Sequence, residues 1–256
     1  MCLLFVGWHV NPKYPLLVAG NRDEFRRRKT APLAVRENGS MLCGLDEEGG
    51  GTWLGISADQ RFCGLTNFRQ GIKRQPHALS RGNLVMDFLR EKESGKTFLL
   101  KLSENVDEYR PFNILAGDRQ RLFFFSSVER KIRLLEPGFY GLSNGMLDEP
   151  WPKLIRGKML LRKPLLESEE IRPEIVFQCL QDNFQPSDDT LPATGVSLEW
   201  ERFLASVFID GGAYGTRSSA LIKVNLTGRI DFFEKSYAHE NGQTYRDGLV
   251  HCTLNA

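Results

Sequence analysis

The sequence predicts an α+β fold: a layered sandwich with β-sheet in the middle and helices outside. Two observations predict the order of layers. Blocks of short apolar runs bounded by turn residues alternate with two blocks of helical periodicity, and the strand blocks are meanders, so neighbouring strands pair antiparallel. A third concerns size. With 256 residues, 41% hydrophobic and 26% charged, the chain has globular composition and buries a large core.

The elements follow in order. Residues 3–10 read as a strand, Asn11-Pro12-Lys13-Tyr14-Pro15 as a turn, and residues 16–19 as the returning strand, ended by Gly20-Asn21. Strand parity puts Cys2, Leu4, Val6 and Trp8 on one face and His9 on the other. Residues 41–44, 52–56 and 62–67 continue as a meander. The glycines of Gly49-Gly50-Gly51 are hairpin glycines, because no Gly-Lys-Ser/Thr follows to make a phosphate loop. Ser80 caps a helix that carries Leu84, Val85, Phe88 and Leu89 on one face. A second helix is predicted over residues 97–109, stopped by Pro111. Strands return at 112–116 and 121–127, and 132–135 is expected to pair with 140–143 across Pro137-Gly138. Residues 151–181 read as helix, interrupted at Pro164 and near Pro173, and residues 198–208 as a short helix after a loop. Strands at 219–226, 229–234 and 248–253 close the chain. There is no repeat, linker or low-complexity stretch, so residues 1–256 are expected to form a single domain.

Charge excludes some partners. The 34 Lys+Arg and 32 Asp+Glu leave a net charge of +2, so no global field recruits nucleic acid or anionic lipid. The local cluster Arg26-Arg27-Arg28-Lys29 reads as a solvated turn. No apolar run reaches the roughly 18 residues of a membrane span, and the apolar residues 3–8 lack the basic flank of a signal peptide. The five cysteines, Cys2, Cys43, Cys63, Cys179 and Cys252, are widely spaced. They fit neither C-x-x-C nor zinc-ligand spacing, which predicts free thiols, no metal and a cytoplasmic location. His9, His77, His239 and His251 are scattered and form no ligand set.

Cys2 is the sharpest chemical feature. Removal of the start methionine leaves it with both a thiol and an α-amine. The amine's ordinary pKa of about 7.7–8 lets it take the thiol proton near neutral pH. His9, on the other face, is a poor partner. Other polar groups gather at strand ends: Asn21-Arg22-Asp23-Glu24, Asn67, Asn144 and Arg217. Asn67 and Asn144 are candidate oxyanion donors. Cys2, Arg22, Asp23, Asn67, Asn144 and Arg217 are expected to share one cleft.

Asn21-Arg22-Asp23-Glu24, Gly50-Gly51-Thr52-Trp53-Leu54-Gly55, Gly64-Leu65-Thr66-Asn67-Phe68-Arg69, Gly141-Leu142-Ser143-Asn144-Gly145 and Tyr214-Gly215-Thr216-Arg217-Ser218-Ser219 together resemble the NRDE family, that of transport and Golgi organization protein 2. The resemblance spans nearly the whole chain and implies a four-layer αββα, N-terminal-nucleophile (Ntn) hydrolase-like fold. More remotely the chain is similar to choloylglycine hydrolase and penicillin V acylase. There an N-terminal Cys attacks an amide, an Arg and an Asp flank it, two Asn residues help hold the oxyanion, and a later Arg lines the site. That likeness carries over to Cys2, Arg22, Asp23, Asn67, Asn144 and Arg217. Arg22 and Asp23 are adjacent here, whereas those hydrolases separate the two.

Three readings stay open. One is intracellular binding and trafficking of a hydrophobic or amphipathic small molecule, heme foremost, with lipid or acyl-coenzyme A handling beside it. No cofactor is required in this reading; heme is the cargo. Trp8, Trp53 and Phe68 are the candidates for stacking on it, and Arg22, Arg69 or Arg217 for its carboxylates. The second is a Cys2-dependent hydrolase of C–N bonds in a non-peptide acyl amide. The third is a scaffold with a relic site. The expected partner is a small molecule, heme or an acyl compound.

Overall fold

The computed structural model describes residues 2–69, 78–240 and 242–255. Alternation of apolar side chains builds two antiparallel sheets. One has seven strands in chain order: β3 (Thr30–Arg36), β4 (Met41–Asp46), β5 (Leu54–Ser57), β6 (Phe62–Asn67), β7 (Phe112–Gly117), β8 (Leu122–Ser126) and β9 (Lys131–Leu135) follow one another. The other has six, in the order β10 (Gly138–Leu142), β1 (Cys2–Trp8), β2 (Leu16–Phe25), β11 (Tyr214–Val224), β12 (Ile230–Glu240) and β13 (Gln243–Leu254).

The sheets face each other across a core that includes Leu4, Val6, Val18, Leu42, Ile56, Phe124, Leu142 and Ile222. Helices cover the outer faces. On the seven-stranded sheet, α1 (Arg81–Arg90) and α2 (Gly95–Glu104) bury Leu84, Val85, Phe88, Leu89, Phe98 and Leu99 against Cys63, Ile114 and Phe125. On the six-stranded sheet, α3 (Pro152–Arg162) and α4 (Pro173–Leu180) bury Leu154, Leu161, Val176 and Phe177 against Leu3, Phe5, Leu17 and Leu221. This is the αββα order. Leu4 and Val6 face the partner sheet while Leu3 and Phe5 face the helices, the parity read from the first strand.

Several local expectations change. Residues 132–135 and 140–143 are not a hairpin: β9 pairs with β8, and β10 crosses to the other sheet to pair with β1, Leu4 opposite Leu142. Pro137-Gly138 is where the chain passes between sheets. β2 does not stop at Asn21 but runs to Phe25, because β11 supplies partners as far as Tyr214. β3 gave no clear signal, being half-exposed and interrupted by Pro32 at a register shift between Ala31 and Ala34. The second helix ends at Glu104, and α5 (Leu198–Phe203) is shorter than expected. The Arg26–Lys29 cluster is not simply solvated. Arg26 donates to Gly211 O and Tyr237 O at 3.2 and 3.1 Å, and Arg28 pairs with Asp46 at 2.7 Å.

The glycine run has a packing reason. Gly51 sits at φ +122, and a Cβ there would lie 2.4 Å from the carbonyl carbon of Gly82. Only bare backbone lets this turn touch the first turn of α1. That contact draws the start of α1 to the rim of the cleft described next.

Candidate active site

Cys2 begins β1, and the register sets it directly opposite Arg22 on β2. It lines the floor of a cleft of about 630 Å³, whose walls include Arg22, Asp23, Trp53, Asn67, Arg81, Arg110 and Arg217. The cleft opens where the ends of β1, β2, β4 and β6 meet the start of α1. Cys2 is 8% exposed, and burial pushes its thiol up to about 11. At neutral pH the sulfur is therefore a thiol, and thiolate chemistry requires a base at hand.

The adjacency of Arg22 and Asp23 divides their work, because successive strand residues face opposite sides. Arg22 shares the side of Cys2 and reaches Asp46 on β4 at 3.3 Å, and Arg28 meets the same carboxylate at 2.7 Å. This bridge closes one rim between the two sheets. Asp23 faces the helical layer. Its Oδ1 accepts from Thr216 Oγ1 at 2.8 Å, and it is 1% exposed. Burial raises its pKa, with Lys153 pulling the other way. Asn21 is structural: its amide donates to Leu180 O and Val207 O, both at 2.8 Å, and Ser219 Oγ donates to its Oδ1 at 2.6 Å.

Arg217 occupies a β-bulge. Thr216 faces Asp23 and Ser218 faces Arg22, so Arg217 is left out of the register with β2. The bulge turns its side chain to the cleft wall, where Nη1 donates to the carbonyls of Phe25, Arg26 and Arg28 at 2.9 Å each. Arg217 is thus a clamp on the turn between β2 and β3 as well as a lining residue. Asn67 ends β6 and lines the cleft, while Asn144, fully buried, stands behind it. Asn144 Nδ2 donates to Asn67 O at 2.9 Å, and its own carbonyl accepts from Arg69 N at 2.6 Å.

The structure separates the four further ligand candidates. Trp53 lines the cleft. Trp8 does not: it is 3% exposed in the inter-sheet core at the far end of β1, opposite Leu16 and Gly138. Phe68 is not among the lining residues; it lies past the end of β6, where its N–H donates to Pro111 O at 3.0 Å. Arg69 turns away into an ion pair with Glu201 at 3.0 Å and packs over the Trp151 ring at 4.9 Å. His77 lies outside the described residues.

Sequence reasoning missed a buried charge group behind the cleft floor. Asp23, Glu201, Arg69 and Lys153 gather there: Arg69 pairs with Glu201, and Lys153, 2% exposed, feels Asp23 and Glu201 electrostatically while its Nζ makes no hydrogen bond among the described residues. Burial pushes the Lys153 ammonium down to about 8, against the pull of Asp23. Nothing in Trp151-Pro152-Lys153 signals this, since a lysine in a first helical turn ordinarily points to water. The five cysteines carry free thiols.

The family model for transport and Golgi organisation 2 matches residues 1–239. The chain belongs to that family. Among members of the transport and Golgi organisation 2 family, the mouse homolog is 32% identical over 277 residues, covering 100% of both chains. The bovine homolog is 35% identical over 259 residues, covering 92% of this chain and 93% of its own. Among solved structures, a conjugated bile acid hydrolase from Clostridium perfringens matches with TM-score 0.51 at 10% identity, covering 100% of this chain and 97% of its own. That likeness gives this family member an Ntn-hydrolase-like fold.

Proposed function

We propose that the cleft is a hydrolytic site in which Cys2, made the first residue by loss of Met1, cleaves the C–N bond of a non-peptide acyl amide. The observation that carries this reading is the position of Cys2: on the floor of the cleft, opposite Arg22, with Asn67 lining the same space and Asp23 fixed by Thr216. The fold is shared with a protein named as a hydrolase.

The chemistry follows from the residues. The freed α-amine of Cys2 takes the Sγ proton. The thiolate attacks the acyl carbon, a C–S bond forms, and negative charge gathers on the carbonyl oxygen. The side-chain amide of Asn67, which lines the cleft, is the donor for that oxygen, since the amide of Asn144 is spent on Asn67 O. As the C–N bond breaks, the leaving nitrogen takes the proton back from the α-ammonium. Water then attacks the thioester, releasing a carboxylic acid and restoring the thiol. Arg22 offsets charge on the face of Cys2, and Asp23 is held where it meets the end of β1.

The test is amine release from a panel of N-acyl amino acids and N-acylethanolamines. Release that disappears in Cys2→Ala supports the reading. Release that persists in that variant, or none from any substrate by a protein whose N-terminus is verified as Cys2, removes it.

One observation favours a second reading, a carrier of an amphipathic cargo such as heme. The family is described by transport, and a space of about 630 Å³ accepts a bulky ligand. Trp53 is the one of the three stacking candidates that lines the space. Saturable 1:1 hemin binding, followed by a Soret shift and by transfer to an apo-heme acceptor, supports the carrier; unsaturable binding contradicts it.

A further inference from the structure

The register of the six-stranded sheet lays the cleft floor out as one row. Cys2 stands opposite Arg22, Arg22 opposite Ser218, and Ser218 opposite Ser236, so the four share one face of the sheet, and all four line the cleft. Neighbouring strands lie about 4.8 Å apart, so the row runs about 14 Å from β1 to β12. The next row inward on the same face is Leu4, Gly20, Ala220 and Glu234. Its first three members carry no polar side chain. The fourth is a carboxylate that also lines the cleft, at the β12 end.

Glu234 is 7% exposed, and its Oε1 accepts from Leu33 N, across the sandwich, at 2.8 Å. Leu33 N is outside the ladder because the register of β3 skips from Ala31 to Ala34 around Pro32. A neutral amide oxygen would serve that bond equally well, so the bond does not account for a charged side chain in this row. Burial raises the Glu234 pKa, while hydrogen bonds from Leu33 N and Ser218 pull it down. Five arginines and six carboxylates line the cleft, and the arginines have other partners. Arg22 and Arg28 meet at Asp46, Arg217 holds three main-chain carbonyls, Arg81 donates to Pro111 O at 2.9 Å, and Arg110 has an interaction of its own. Arg36, on β3, donates to Cys43 O and Pro32 O, both at 3.0 Å. Asp247 lines the same end of the cleft, next in the chain to Gly248, which stands opposite Ser236. Among the described residues neither Glu234 nor Asp247 forms an ion pair. A desolvated carboxylate without a counter-ion is costly, and a cation beside it offsets the cost.

We propose that Glu234 is a specificity-determining residue of the Cys2 cleft: it receives a cationic amine on a ligand that lies along the floor row, with its acyl amide at Cys2 and its ammonium about 14 Å away. This deepens the proposed hydrolysis and rests on its reading of the cleft as the ligand site. The substrate class it names is an acyl amide with a second, charged nitrogen at the far end. Ser218 and Ser236 offer hydroxyls to the chain between. An extended chain of about twelve bonds covers the span.

The experiment is isothermal titration calorimetry of the full chain carrying Cys2→Ala, which cannot turn over. The probes are N-acetyl-1,10-diaminodecane, N-acetyldecylamine, which lacks the ammonium, and N-acetyl-1,4-diaminobutane, which is too short for the span. The diaminodecane compound is expected to bind about tenfold more tightly than the decylamine compound, as one charge-assisted contact implies. Adding Glu234→Gln, which keeps an acceptor for Leu33 N and removes the charge, is expected to abolish that preference and leave the affinity for N-acetyldecylamine unchanged. The diaminobutane compound is expected to be indifferent to Glu234→Gln. Equal affinity for the two ten-carbon compounds, or no binding of either, overturns the proposal even if the Gln variant does not fold. So does a preference that survives Glu234→Gln, or a parallel loss of both compounds in it, which marks Glu234 as a tie to β3 alone. A diaminobutane compound as sensitive to Glu234→Gln as the long one overturns the span from Cys2. Hydrolysis is decided separately: a protein that releases no amine yet shows the Glu234-dependent preference loses the hydrolytic reading and keeps this one.

Discussion

The side-chain amide of Asn144 is bonded to the main-chain carbonyl of Asn67, 2.9 Å away, and Asn144's own carbonyl takes the N–H of Arg69 at 2.6 Å. The two asparagines that sequence reasoning gave the same role thus stand one behind the other. Asn67 lines the cleft, and Asn144 holds it there. Asn144→Ala is expected to lower stability by about 1–3 kcal/mol, since a buried carbonyl loses its donor. Asn67→Ala is expected to cost under about 1 kcal/mol at a half-buried strand end. Urea denaturation of the two variants checks the order; the reverse order contradicts the division of roles.

Arg217 makes a comparable prediction with a different readout. Its Nη1 gathers the carbonyls of Phe25, Arg26 and Arg28, so Arg217→Ala frees the turn between β2 and β3. Amide hydrogen exchange at residues 26–30 is expected to accelerate at least tenfold, with the core of β1 unchanged. Arg217→Lys is expected to restore part of the protection, because the three carbonyls converge on one nitrogen and an ammonium carries three N–H donors.

The buried group behind the cleft holds two acids and two bases: Asp23, Glu201, Arg69 and Lys153. Lys153→Met leaves an excess of buried negative charge and is expected to cost about 3–5 kcal/mol. Adding Asp23→Asn restores neutrality and is expected to recover more than half of that loss. A double-mutant cycle in urea measures the coupling. Coupling below about 0.5 kcal/mol would mean that Lys153 and Asp23 do not depend on each other.

Thiol titration gives stability a pH dependence of known sign. Burial raises Cys2 and Cys43 from 9.0 to about 11, and Cys63 is raised as well. Between pH 9 and 11 the unfolded chain releases protons that the folded chain keeps. The unfolded state then binds fewer protons, so stability falls as pH rises through that window. Lys153, lowered from 10.5 to about 8, acts in the opposite direction between those values. Cys43→Ala should therefore flatten the alkaline decline by up to about 1.4 kcal/mol per pH unit. An unchanged slope in urea midpoints across the window contradicts the buried-thiol account.

Much of the frame was legible because periodicity reports directly on burial. The alternation of Leu3, Leu4, Phe5 and Val6 gave the two faces of β1, and Leu84, Val85, Phe88 and Leu89 gave the buried face of α1. Motifs at strand ends pointed to one cleft for Cys2, Arg22, Asp23, Asn67, Asn144 and Arg217; five of them line it, and Asn144 stands behind Asn67 instead. What stayed hidden depends on contacts distant in sequence. The crossing of β10 to β1 is a long-range choice that a Pro-Gly turn does not disclose. Trp8 looked available for stacking because parity gives its face but not its depth along the strand. Arg69 shares a motif with Asn67, yet Glu201, 132 positions away in the chain, takes it out of the cleft.

The central claim is that Cys2 is an N-terminal nucleophile. Intact-mass measurement of the natively purified protein, before and after brief incubation with an activated N-acyl amide, tests it most directly. The account predicts a chain that lacks Met1 and gains the mass of one acyl group, released by hydroxylamine as a thioester is and absent from Cys2→Ala. A chain that keeps Met1, or an acyl group that settles equally on the Cys2→Ala protein, would contradict it.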